Sequence, residues 1–141
     1  MKNGFLGTSR HTLENGNRII IPSGFRNLLS PEFVLFKSVE GCLSIYDTET
    51  FDSILDEVNS ATDTHEGRIK ARKFARAARI CSLDKQGRFT IPADYIAFAG
   101  LGNTVYLSGL GSHLEIWDEE VFLLQEAEEF DPAKYPGVRY L

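Results

Sequence analysis

The ten residues LENGNRIIIP at 13–22 return as LDKQGRFTIP at 83–92, with Leu, Arg, Ile and Pro in matching places. The echo runs on: Val34, Leu43, Ile45, Asp47 and Phe51 recur 71 positions later as Val105, Leu114, Ile116, Asp118 and Phe122, and Tyr46 becomes Trp117. The first block is shifted by 70 and the second by 71, so the chain reads as two copies of one supersecondary unit with one residue gained between them. A copy of about 60 residues has too little interior to be stable alone, so the two are expected to share one core.

Each copy reads as a strand, a polar turn, a β-branched strand, a short helix, two further strands and a closing helix. Pro22 and Pro92 stand where a strand stops and the first turn of a helix tolerates a missing N–H. Phe25, Leu28 and Leu29, and in the second copy Tyr95, Ile96 and Ala99, suit the buried side of that short helix. Asp47 and Asp118 are expected to cap the closing helices. Between the copies, Ala71, Phe74, Ala75 and Ala78 follow helical spacing with Arg68, Arg72, Arg76 and Arg79 on the other side. The expected organisation is one domain over 1–141. It comprises a first repeat at 5–57, a connecting helix at 58–78, a second repeat at 79–130 and a tail at 131–141, ordered only if it docks.

Apolar residues are 43% of the chain and charged ones 25%, a globular composition. No apolar run approaches the roughly 18 residues of a membrane span, and MKNGFLGTSRH lacks the apolar stretch of a secretory signal, so a cytoplasmic protein is expected. Cys42 and Cys81 lack metal or redox spacing and read as buried free thiols. The net charge of -5 argues at first against nucleic acid, but charge is unevenly distributed. Ala61 to Arg88 holds eight basic residues against three acidic, and Glu115 to Asp131 holds eight acidic and no basic, so one face can still be positive.

The repeated phrase has a physical logic. Asp84 can accept from backbone N–H groups in its own turn, and Gly87 can take a positive φ, giving a tight turn from which Arg88 leaves on an anchored strand. A guanidinium presented in a reproducible direction suits phosphate or guanine. In the first copy Glu14 replaces the Asp, while Asn15-Gly16 is a strong turn signal and Asn17 tolerates the left-handed region, leaving Arg18 as the projecting cation. Lys85 has no counterpart in the first turn. The plain alternative is that Arg18 and Arg88 pair with Glu14 and Asp84 and only brace their hairpins.

FLGTSRHTLENGNRIIIPSGFR, RKFARAARICSLDKQGRFTIP and GSHLEIWDEEVF together resemble the MraZ family of bacterial transcriptional regulators, over most of the chain up to about Phe122. The resemblance implies an α+β, mainly β fold: two tandem AbrB-like swapped-hairpin repeats forming one pseudo-twofold β-barrel with short helices. It also implies a closed homo-oligomeric ring that binds double-stranded DNA at short G-rich direct repeats ahead of its own division and cell-wall genes, usually as a repressor. Such a protein is nucleoid-associated, with neither cofactor, metal nor small-molecule substrate. Carried over by position, the DNA-binding candidates are Arg18, Asn15, Gly16, Asn17, Arg88 and Lys85, with Arg10 on the preceding strand as a second cation. Glu14, Asp84 and Gly87 shape the turns, and Glu14 departs from the family's Asp. A ring tethers weak contacts and lets neighbouring loops read repeats one helical turn apart.

Other features have plainer readings. His11, His65 and His113 lack ligand spacing, Glu126, Glu128, Glu129 and Asp131 suit a solvated helix end, and GLGSH at 109–113 reads as a hairpin turn. The basic side of Arg68 to Arg79 suits a solvated face, or a contact with a neighbouring subunit's acidic surface. No nucleophile, base and oxyanion site assemble, so an enzyme is not expected. A ring-forming protein-interaction or antitoxin-like module without specific DNA binding stays open, because fold analogy alone cannot choose.

Overall fold

Neither copy pairs its strands chiefly with itself. In the computed structural model, which describes residues 4–135 and 137, the first copy supplies β1 (Thr8–Thr12), β2 (Arg18–Ile20), the one-turn helix α1 (Ser23–Arg26), β3 (Glu32–Lys37), β4 (Leu43–Asp47) and α2 (Thr48–Asn59). After α3 (His65–Arg76) the second copy supplies β5 (Ala78–Ser82), β6 (Arg88–Thr90), α4 (Ala93–Ala99), β7 (Thr104–Gly109), β8 (Leu114–Asp118) and α5 (Glu119–Ala127). β1 pairs with β7, β5 with β3, and β2 with β6, each time across the copies and antiparallel. The six-stranded sheet runs β1-β7-β8-β4-β3-β5, an order that maps onto itself when the copies are exchanged. The pseudo-twofold passes through the Ile19–Phe89 pair of the ribbon and the Ser44–Glu115 pair of the sheet.

The register corrects one equivalence read from the sequence. Phe33 pairs with the capping Asp47, and Val105 with the capping Asp118, so Phe33 rather than Val34 is the counterpart of Val105. Both are fully buried on the inner face, whereas Val34 sits beside Tyr46 on the other. Pro92 to Thr104 is two residues longer than Pro22 to Glu32, and the β7–β8 hairpin is one residue shorter than β3–β4. The single net insertion thus hides a gain of two and a loss of one. A strand alternates its faces, so a slip of one residue would exchange core and cover.

The inner face of the sheet buries Phe33, Leu35, Ile45, Leu107, Leu114 and Ile116 against the ribbon's Ile19, Ile21, Phe89 and Ile91. The outer face is covered by helices. Phe36 and Phe51 meet Phe74 of α3 at ring-centroid distances of 4.8 and 5.3 Å, and Phe122 of α5 stacks on Tyr106 at 4.1 Å. Asp47 caps α2 by accepting from Glu49 and Thr50 N–H, and Asp118 caps α5 by accepting from Glu120 N–H. Tyr95 of α4 is buried and donates to Ala77 O at 3.0 Å, tying the short helix to the start of β5.

Four expectations change. The fold is a mixed α/β arrangement with antiparallel strands, not a mainly β one, because among the described residues the five α-helices hold more residues than the eight strands. Among the described residues the ladder does not close into a barrel: β1 and β5 are the edges of the six-stranded sheet, and the three-residue β2 and β6 form a separate two-stranded ribbon. The helical segment between the copies is His65–Arg76, shorter than 58–78, since 60–64 form a turn and Ala78 opens β5. Its inner line is Gly67, Ala71 and Phe74, with Ala75 exposed. Leu28 lies past the single turn of α1 and is 39% exposed, while Phe25 is buried and Leu29 packs beside it. GLGSH does form a hairpin turn, with Gly111 at φ 82 and Leu110 N–H donating to His113 O. In the tail Pro132–Lys134 form a 3-10 turn and Tyr135 stacks on Phe130 at 5.2 Å; positions 136 and 138–141 lie outside the described residues.

Candidate nucleic-acid interface

The two repeated turns sit at opposite ends of the β2–β6 ribbon. Because each strand alternates, Ile19 and Phe89 point into the core while Arg18, Ile20, Arg88 and Thr90 point out, with Arg18 opposite Thr90 and Ile20 opposite Arg88. The inner residues anchor the ribbon: Phe89 lies edge-on to Phe33 at 4.9 Å. One rigid strip therefore presents both motif arginines on the same outward side, diagonally across the pseudo-axis.

The turns differ in backbone as well as in chemistry: the first has positive φ at both Gly16 and Asn17, the second only at Gly87. In the second, Asp84 Oδ1 accepts from Gln86 N–H and Arg88 N–H, each at 2.9 Å, and Gly87 stands at φ 78. Those bonds, the Arg88 N–H first, hold the Asp84 carboxyl below its usual range despite some desolvation. In the first, Glu14 and Arg18 exchange backbone bonds at 2.8 and 3.3 Å, and the reversal is made by Gly16 at φ 80 and Asn17 at φ 60. Each turn is bonded to the opposite strand by matching contacts, Ile91 N–H to Asn17 O and Ile21 N–H to Gly87 O. The longer Glu14 therefore leaves the turn intact.

The arginines themselves differ. Arg88 donates from Nε to Asp84 Oδ2 at 3.2 Å and from Nη1 to Glu14 Oε1 at 3.4 Å, and its side chain is only 22% exposed. Arg88 thus makes the pairing with Asp84 that the bracing alternative expects, and a second pairing that crosses between copies. Arg18 forms no ion pair among the described residues; its Nε donates to Asn15 O at 3.3 Å, leaving both terminal nitrogens as donors. Asn15, Gly16 and Asn17 beside it are exposed, as are Lys85 and Gln86 on the second turn. Arg10 is not part of this strip: it lies on edge strand β1 and its Nε is bonded to Glu119 Oε2 at the start of α5.

Sequence reasoning missed Arg26. From α1 its Nη1 donates to Gln86 O at 3.2 Å, and its guanidinium lies where a Cβ on Gly87 would stand, 2.1 Å away. Gly87 is thus needed both for its φ and for the close approach of Arg26. No local pattern marks Arg26, since its partner is 60 residues away. Ile20 and Thr90, by contrast, follow from period-two alternation around the arginines.

Elsewhere the titratable groups are muted. Burial, helped by the nearby Glu115 charge, pushes the Cys42 thiol up to about 12, and burial also raises Cys81; both thiols are free. Burial lowers His11, and lowers His113 against the opposing pull of Glu115. Among the described residues no group of three His, Cys, Asp or Glu could hold a metal, and no helix is long and apolar enough to cross a membrane. The ribbon strip is what remains: planar and point-charge donors on a stiff support, suited to phosphate oxygens and to guanine O6 and N7.

The family model "MraZ protein, putative antitoxin-like" matches residues 5–73 and again 74–134. The chain is 36% identical over 117 residues to the transcriptional regulator MraZ of Clostridium acetobutylicum, covering 82% of each. It is 34% identical over 116 residues to that of Lachnoclostridium phytofermentans, again 82% of each. Against the transcriptional regulator MraZ of Limosilactobacillus fermentum, it is 34% identical over 142 residues, 96% of this chain and 99% of the relative. Two family units in tandem, interlocked strand by strand around one ribbon, make this chain a member of the MraZ family.

Proposed function

We propose that this protein is a sequence-specific DNA-binding transcriptional regulator that reads duplex DNA with the outward strip of its β2–β6 ribbon. The observation that carries the reading is Arg18, a guanidinium without a carboxylate partner among the described residues, standing beside exposed Asn15 and Asn17 on a turn bonded to both copies. The relatives' names, transcriptional regulator, support the same class. Four cations (Arg18, Arg26, Lys85 and Arg88) stand around the strip against two carboxylates, so it is positive on a chain of net charge -5. Arg18 and the Asn side chains are the base-reading candidates, and Lys85 is the phosphate contact.

In this reading copies of the chain assemble as a closed ring at short G-rich direct repeats ahead of their own gene and repress it, in the cytoplasm and at the nucleoid. The test is a gel shift with the DNA immediately upstream of the gene, comparing wild type, Arg18→Ala and Arg88→Ala. Retention by Arg18→Ala equal to wild type would remove the reading.

One observation favours a second reading, an antitoxin-like protein-interaction module: α5 exposes Val121, Leu123 and Leu124. Under it, DNA retention would be weak and indifferent to sequence, and Arg18→Ala would leave partner binding unchanged.

A further inference from the structure

The outward strip of the ribbon carries a large apolar side chain among its cations. Ile20 and Thr90 hold equivalent places in the two copies, and both are exposed because β2 and β6 alternate about the buried Ile19 and Phe89. Thr90 stands opposite Arg18, whereas Ile20 stands opposite Arg88 and is 43% exposed. Phosphate binding alone would not call for an isoleucine here, and Thr90 shows that the position accepts a polar side chain. From Ile20 the strand runs directly beside the second turn: Ile21 N–H donates to Gly87 O, and Gln86 O in that turn accepts from Arg26. Ile20 is therefore neighboured by Arg88, by Arg26 and by the turn that bears Lys85.

Those surroundings select its partner. An apolar protein surface laid over Ile20 would strip water from the cations and give nothing back, a cost that one isoleucine does not offset. Duplex DNA supplies phosphates for the cations and, on the base edges of its major groove, an apolar group of its own: the 5-methyl of thymine. Arg88 is already held by Asp84 and Glu14, so at this end of the strip the aliphatic side chain is the one left to meet a base.

The dimensions agree. Strands about 4.8 Å apart form a ribbon that a major groove about 12 Å wide admits. Arg18 and Ile20, two residues apart on β2, are separated by about 6.7 Å along the strand, close to two base-pair steps of about 3.4 Å each. A ribbon laid along the groove thus holds the guanidinium on one base edge and the isoleucine on another. Branching at Cβ restricts the rotamers of Ile20, which keeps its methyl groups in a defined place.

We infer that Ile20 is a specificity-determining residue that packs against the 5-methyl of a thymine in the major groove while Arg18 reads a guanine. This rests on the regulator reading above and adds a base that it does not name. The larger apolar surface lies at one end of the ribbon only, so a pseudo-twofold ribbon acquires a direction on its DNA.

The test compares the upstream DNA with the same DNA carrying deoxyuridine for every thymine, which pairs identically and lacks only the methyl. Fluorescence anisotropy is read for the full chain as wild type, Ile20→Val and Ile20→Ser. Wild type is expected to prefer the thymine DNA by about fourfold for each methyl contacted, as for one methyl group taken out of water. The ratio should be the same at low and high salt, because this contact releases no counterion. Ile20→Val should keep most of the preference. Ile20→Ser should bind both DNAs alike, near the wild-type affinity for the uracil DNA, with its melting unchanged because the side chain fills no core position. Equal binding of the two DNAs by wild type, or an Ile20→Ser that keeps the full preference, would overturn the inference and leave the regulator reading standing. A wild type that retains neither DNA would remove the regulator reading and the inference with it.

Discussion

Arg88 Nη1 reaches Glu14 Oε1 across the two copies at 3.4 Å while its Nε holds Asp84 of its own turn, so one guanidinium ties both repeated turns together. Glu14, the residue that departs from the second copy's Asp, is long enough to meet it. The second turn thereby acts as a strut for the first, and the first is left with the free arginine.

This predicts a non-additive pair. Arg88→Ala and Glu14→Ala should each weaken DNA binding by loosening the first turn, and the double variant should lose no more than the weaker-binding single variant. The stability coupling between them should be small, about 0.5 kcal/mol, as for other solvent-accessible pairs. Fluorescence anisotropy with the upstream DNA at one fixed salt concentration checks the affinities; additive losses would mean that Arg88 contacts DNA itself.

Arg18→Ala should behave differently. A guanidinium bonded to guanine is worth roughly 1–3 kcal/mol, so affinity should fall by about tenfold or more per loop and discrimination against altered repeats should relax. Lys85→Ala should instead weaken all sequences alike and reduce the slope of log affinity against log salt by about 0.9. Titrations over a salt series, with matched and scrambled DNA, separate the two.

Gly16 and Gly87 both have φ near 80°, but only Gly87 has a neighbour in the way. Gly16→Ala should cost about 1 kcal/mol of backbone strain. Gly87→Ala should cost more, because Arg26 must leave Gln86 O, and in an Arg26→Ala background the two glycine substitutions should become equal. Urea unfolding of the four variants decides it.

Stability should fall on mild acidification. Burial holds His11 and His113 below the ordinary value of 6.5, so the unfolded chain binds protons at a pH where the folded one does not. Their contribution is complete above about pH 7 and is lost as pH drops through 6.5 toward the folded values. Urea midpoints at pH 7.5 and 5.5 should differ in that direction, and His113→Gln should narrow the difference.

Much of this architecture was legible because it rests on local chemistry. The helix caps at Asp47 and Asp118, the Asp84 turn and the Gly111 hairpin all have their partners within a few residues. The candidate site was half legible: the turns could be found, but which arginine stays free could not. Glu14 is 74 residues from Arg88, and Arg10 finds Glu119 across 109. The false match of Val34 with Val105 arose because compensating insertions in loops are invisible until strands are placed in register.

Duplication, the need for a shared core and the shape of each turn were determined by the amino-acid sequence alone, since periodicity, chain length and backbone preference act over short spans. The exchange of strands between copies, the open sheet, the different partners of Arg18 and Arg88 and the exposure of Val121, Leu123 and Leu124 on α5 were decided by tertiary structure. Those features depend on which distant side chains share a face, and long-range pairing leaves no trace in local pattern.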